Sequence, residues 1–168
     1  DTISGDLPTF PPSQKVFKMN VNEPNILAVE KASEKVSDVG FDPRPQQISD
    51  FIFRWRNPNP PQQNLVLNTK LDEFNLTSSF LNNQNLLNGR NFTNNSQPIG
   101  FATDFLKSLE FYPDDIDTER TKVEFGIVEN GVIKPSTRAV NSNVATVYFF
   151  QKDKDEIPIV YPQGGNSS

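Results

Sequence analysis

Apolar and polar residues alternate along several stretches of this chain. Each reads as a half-buried strand, because successive strand side chains point to opposite faces. Phe17, Met19 and Val21 alternate with Lys18 and Asn20, predicting a strand over Lys15–Val21. Phe51, Phe53 and Trp55 alternate with Ile52, Arg54 and Arg56, which predicts a strand with one aromatic face. The two guanidiniums give it a wet side or a place at a sheet edge. Leu65–Leu71 resumes a strand pattern, and Val123, Phe125 and Ile127 alternate with Lys122 and Glu124. Asn130-Gly131 then separates two apolar runs, a signal for a two-residue hairpin turn with positive φ. The near-continuous apolar run Val144–Gln151 predicts a central strand covered on both faces. Lys152–Asp155 reads as a charged hairpin tip, with Ile157–Tyr161 as the returning strand.

Other segments follow different periods. Ile26, Leu27 and Val29 suggest a strand running into a polar turn, although Ala32, Glu34, Lys35 and Val36 favour a short helix. Phe101, Phe105, Leu106 and Leu109 share one helical face, predicting a helix over Gly100–Phe111. Leu71, Phe74, Phe80, Leu81 and Leu87 predict a partly helical stretch over 72–88 that stops at Asn88-Gly89. Prolines mark loops over Phe41–Gln47 and Asn57–Asn64. Pro8, Pro11 and Pro12 make residues 1–14 an extended N-terminal arm. Residues 163–168 form a flexible tail, leaving 15–162 as one mostly-β domain. The expected fold is mainly β: a β-sandwich or jelly-roll-like domain with one or two short helices.

Composition narrows the picture. A chain of 168 residues suits one domain, and the 14 phenylalanines compensate for an apolar fraction of only 35%. The formal net charge is −5, with no cluster of Lys or Arg, so binding to nucleic acid is not expected. No apolar run approaches the ~18 residues of a membrane span. The first residue, Asp1, reads as a processed end, a polyprotein cleavage site or an artificial boundary.

The chain contains no histidine and no cysteine. It therefore lacks the thiolate nucleophile, the neutral-pH proton shuttle and the soft-metal ligands, and any catalysis would rest on carboxylates, Lys, Tyr or Ser/Thr. Asp50, Asp72, Glu73, Asp104 and Glu110 are scattered without a spacing that marks a catalytic pair. Neither a nucleophile elbow nor a phosphate loop is present. Asp115, Asp117 and Glu119 stand at alternate positions, as calcium ligands do, making calcium the one candidate cofactor. Arg120 occupies the position where a calcium loop carries glycine. Four N-x-S/T sequons begin at Asn75, Asn91, Asn94 and Asn166.

These features point to a non-catalytic structural or interaction subunit of an extracellular, cell-surface or virion assembly. Its partners would be further copies or other subunits. The arm would add a strand to a neighbour, anchored by Leu7, Phe10, Val16 and Phe17. The alternative is a secreted carbohydrate- or peptide-binding module using Tyr112 and Trp55, with a glycan as ligand. The parity of Trp55 with Phe51 and Phe53 instead assigns that ring to the core.

Overall fold

A computed structural model of the chain describes residues 26–155 except Pro60, Asp72 and 89–91, together with Ser13, Ile157 and Ile159. The arm apart from Ser13, the strand at 15–21, the anchors Leu7, Phe10, Val16 and Phe17, and the tail at 163–168 lie outside the described residues.

In chain order the elements are α1 (Ile26–Asp38), β1 (Gln46–Ser49), β2 (Ile52–Asn57), β3 (Gln63–Asn68), β4 (Glu73–Ser78), α2 (Gln84–Leu87), α3 (Ser96–Ser108), β5 (Lys122–Glu129), β6 (Val132–Ser136) and β7 (Val144–Tyr148). Among the described residues strand exceeds helix, 35% against 24%, so the fold is mainly β and compatible with a single sandwich-like domain. The first sheet is an antiparallel meander, β1-β2-β3-β4. The second is antiparallel in the order β6-β5-β7.

The main core lies against one face of the first sheet. Trp55, Leu65 and Leu67 form its floor, and Val36, Phe41 and Leu109 close over it. Val29, Ala32 and Val36 fall at i, i+3 and i+7, so α1 presents one stripe to this core. Phe74 of β4 meets Phe111 at 4.5 Å between ring centroids, which brings the segment after α3 onto the same face. Phe125 of β5 meets Phe92 at 5.7 Å, and α3 packs against β7. Helices therefore line much of the interior of this two-sheet fold.

Several expectations are corrected. Residues 26–38 are helical, not a strand. The apolar cluster Ile26-Leu27-Val29 suits either structure, but Val39-Gly40-Phe41 carries the stop signal of a helix. Gly40 sits at φ 93°, Gly40 N–H donates to Ser37 O, and Phe41 N–H donates to Val36 O, both at 3.0 Å. These two bonds form a Schellman cap, which carries Phe41 into the core. The loop expected over Phe41–Gln47 gives way to β1 from Gln46. The partly helical stretch over 72–88 resolves into β4 and a single turn, α2, because Phe74 and Leu76 follow a period of two. Of the two expected positions for β2, the structure shows the first, an interior strand with a wet side. β7 is an edge strand and only half-buried, not central.

The expected helix at 100–111 is α3, which starts four residues and ends three residues earlier. Asn94 Oδ1 accepts from Ser96 N–H and Gln97 N–H, both at 3.1 Å, and so caps the first turn. Pro98 is tolerated there because first-turn N–H groups have no helical partner. Glu110 at φ 57° ends the helix in a second Schellman cap, with Phe111 N–H donating to Leu106 O at 2.8 Å. Asn94→Ala is expected to destabilise the protein by about 1 kcal/mol in urea denaturation, the usual loss for an N-cap side chain.

The predicted hairpin is present. Asn130 (φ 52°) and Gly131 (φ 77°) join β5 to β6, with Glu129 opposite Val132.

Candidate functional site

The residues singled out from the sequence are not gathered into one site. Trp55 is fully buried, and its indole N–H donates to Ser33 Oγ at 3.2 Å. The expectation that it binds a ligand is therefore corrected: its ring has no exposed face. Tyr112 is half-buried, edge-on to Phe149 at 5.7 Å, with Lys107 Nζ 5.3 Å from its ring centroid. The acidic loop uses its oxygens on itself and its neighbours. Asp117 Oδ1 accepts from Glu119 N–H at 3.0 Å and Arg120 N–H at 3.2 Å, while Asp115 accepts from Gln151 Nε2. Among the described residues no three acidic side chains converge on a point where they would share a metal ion. Asn75 and Asn94 are exposed. Asn91 and Asn166 lie outside the described residues.

The chemistry that the fold does expose is backbone chemistry at the sheet edges. An edge strand presents unpaired N–H and C=O groups, and natural proteins usually blunt them. β1 is blunted: it is four residues long, follows Pro43 and Pro45, and its register with β2 shifts between Gln47 and Ser49. β6 is blunted differently. Val128 N–H donates to Asn143 Oδ1 at 2.9 Å, so the even-numbered residues of β5 point toward β7 and the odd ones toward β6. Ile133 and Pro135, opposite Val128 and Gly126, then aim their backbone outward. Pro135 removes one of the two donors this edge would offer.

β4 has no such protection. Ser79 N–H donates to Gln62 O at 3.0 Å, which sets the parity of the β3–β4 ladder. Phe74, Leu76 and Ser78 therefore direct their N–H and C=O groups away from β3, and no described residue bonds to them. β4 is regular over six residues and holds neither Pro nor Gly. Its exposed face carries Glu73, Asn75 and Thr77, and its inner face sends Phe74 and Leu76 against the core. β7 offers a shorter edge at Ala145 and Val147, beside α3. The open edge of β4 was not legible from the sequence, because parity is fixed only once strands pair.

A groove of about 580 Å³ runs along the second sheet, lined by Phe80, Val123, Phe125, Gly126, Ile133 and Val144 among others. Nearby, Lys122 donates to Glu124 at 2.5 Å, and Tyr148 Oη donates to the same carboxylate at 3.1 Å. The hydrogen bond from Lys122, and then that from Tyr148, hold Glu124 below the usual carboxylate range. The same contacts raise Lys122 and Tyr148.

Asp42 shows a larger effect. Arg44 donates to it from both its side chain and its backbone N–H, lowering the Asp42 pKa from an ordinary 3.8 to about 2. A depressed carboxylate pKa contributes stability above the ordinary value and loses it as pH falls through the folded value. The Asp42–Arg44 contribution is thus complete well above 3.8, declines as the pH falls from 3.8 toward about 2, and is absent below that. Arg44→Ala is expected to return the Asp42 titration toward 3.8, as read by carboxyl-carbon NMR.

No helix of the described residues is long and apolar enough to cross a membrane. No protein-family model, curated protein or solved structure matches the chain.

Proposed function

We propose that this protein is a non-catalytic structural subunit of an extracellular, cell-surface or virion assembly, joined to its neighbours through its extended N-terminal segment. The observation that carries this reading is the edge of β4, left unpaired by every described residue, where three residues offer backbone donors and acceptors to an incoming strand. Strand addition draws affinity from main-chain bonds and register from alternate side chains. The N-terminal segment supplies a period-two pattern and the anchors Leu7, Phe10, Val16 and Phe17. A chain without imidazole or thiol is suited to such a role. Removing residues 1–21 is expected to abolish higher-order species in light scattering and negative-stain microscopy while the remainder melts cooperatively. Unchanged assembly would rule out the segment as the joint.

A second reading is a carbohydrate- or peptide-binding module, favoured by the groove along the second sheet. Tyr112, outside that groove and half-buried beside Lys107, would support a sugar ring as a separate contact. Loss of glycan-array binding in Tyr112→Ala would favour this module over a subunit.

A further inference from the structure

We infer that the acceptor of the N-terminal segment is β4 of a second copy of this chain, and that Lys15–Val21 pairs with it antiparallel as the next strand of the first sheet. This inference rests on the proposed role as an assembling subunit. Every ladder in both sheets is antiparallel, which sets the direction. Residues directly opposite in such a pair share a face. Placing Val21, Met19 and Phe17 opposite Phe74, Leu76 and Ser78 continues the apolar inner face of the sheet. The same register places Asn20 opposite Asn75 and Lys18 opposite Thr77, extending the polar outer face. A shift by one residue would turn Phe17, Met19 and Val21 to water, so the pattern allows few registers. β6 is disfavoured by Pro135, β1 by its bulge, and β7 by its shorter outward row.

The absence of native cysteine makes the test clean. Asn75 lies between outward-directed residues, so its opposite number would be a non-hydrogen-bonded pair, with Cα atoms close enough for a disulfide. Full-length Asn20→Cys and Asn75→Cys chains, separately tagged, are mixed, oxidised and run without reductant. Thr146→Cys, exposed on β7 and, like Asn75, flanked by outward-directed residues (Ala145 and Val147), replaces Asn75→Cys as the comparator. The expected result is about tenfold more Asn20–Asn75 heterodimer than Asn20–Thr146 heterodimer, the ratio given by a ~1.4 kcal/mol preference. Met19→Asp in the donor chain is expected to remove that product, and its own melting curve reports whether it still folds. Equal or greater capture by Thr146→Cys, in a chain that still assembles through its N-terminal segment, overturns β4 as acceptor and leaves the subunit reading standing. A doubly substituted chain that closes only on itself overturns the second copy as donor. A full-length chain that stays monomeric overturns both the inference and the subunit reading.

Discussion

Trp55→Ala is expected to destabilise the protein by about 3–5 kcal/mol, the usual range for removing a buried Trp ring. For a chain of this length that corresponds to a fall in Tm of roughly 6–20 °C. The ring is fully buried between Leu65 and Leu67 of β3 and the helical lid that carries Val36. Its removal leaves a cavity that a sheet with a fixed ladder fills poorly. Circular dichroism is the appropriate probe, because the substitution removes the only tryptophan. The hydrogen bond to Ser33 contributes the smaller part, since Ser33 Oγ also donates to Val29 O at 2.9 Å and keeps a partner. Trp55→Phe should therefore retain most of the stability. A shift below about 2 °C for Trp55→Ala would contradict the core assignment.

Gly126→Val should have the next largest effect, acting on the other sheet. A Cβ at Gly126 would lie 2.8 Å from Ile133 Cγ2, 3.0 Å from Val144 Cγ2 and 3.3 Å from Lys134 O. The first two contacts are tighter than van der Waals spacing, and the third is to backbone, which cannot rotate away. Strand propensity favours valine over glycine, but that scale spans only ~1 kcal/mol. Overpacking costs about 1–3 kcal/mol, so sterics win. Ile133 is 52% exposed and its truncation alone should cost little. Ile133→Ala is accordingly expected to restore part of the loss in a double-mutant cycle by urea denaturation. Additive losses would show that the strain lies with Val144 or the backbone instead.

Legibility in the sequence followed how local each signal was. The Asn130-Gly131 turn needs only two residues with positive φ, and it stands where the sequence puts it. The Phe53 and Trp55 face of β2 and the Phe105 face of α3 were likewise legible, since period alone identifies them. α1 was misread because Ile26, Leu27 and Val29 fit a strand as well as a helix, while its deciding signal, Gly40 with Phe41, lies after the helix ends. β4 was misread because its asparagine-rich surroundings mask the alternation of Phe74 and Leu76. β7 was placed at a centre on hydrophobicity alone, and nothing local distinguishes a central strand from an edge lying beside a helix.

Taken alone, the amino-acid order determined the alternation of β2 and β5, where the hairpin turns, which aromatic face goes inward and which catalytic side chains are missing. These depend on single-residue φ preferences, on period and on chemical identity. Tertiary structure alone decided that α1 closes over Trp55, that the acidic loop binds its own backbone, and that, among the described residues, β4 ends its sheet with three residues turned outward. Burial and hydrogen-bond parity are relations between distant segments, fixed only when one strand pairs with another and a helix closes over them.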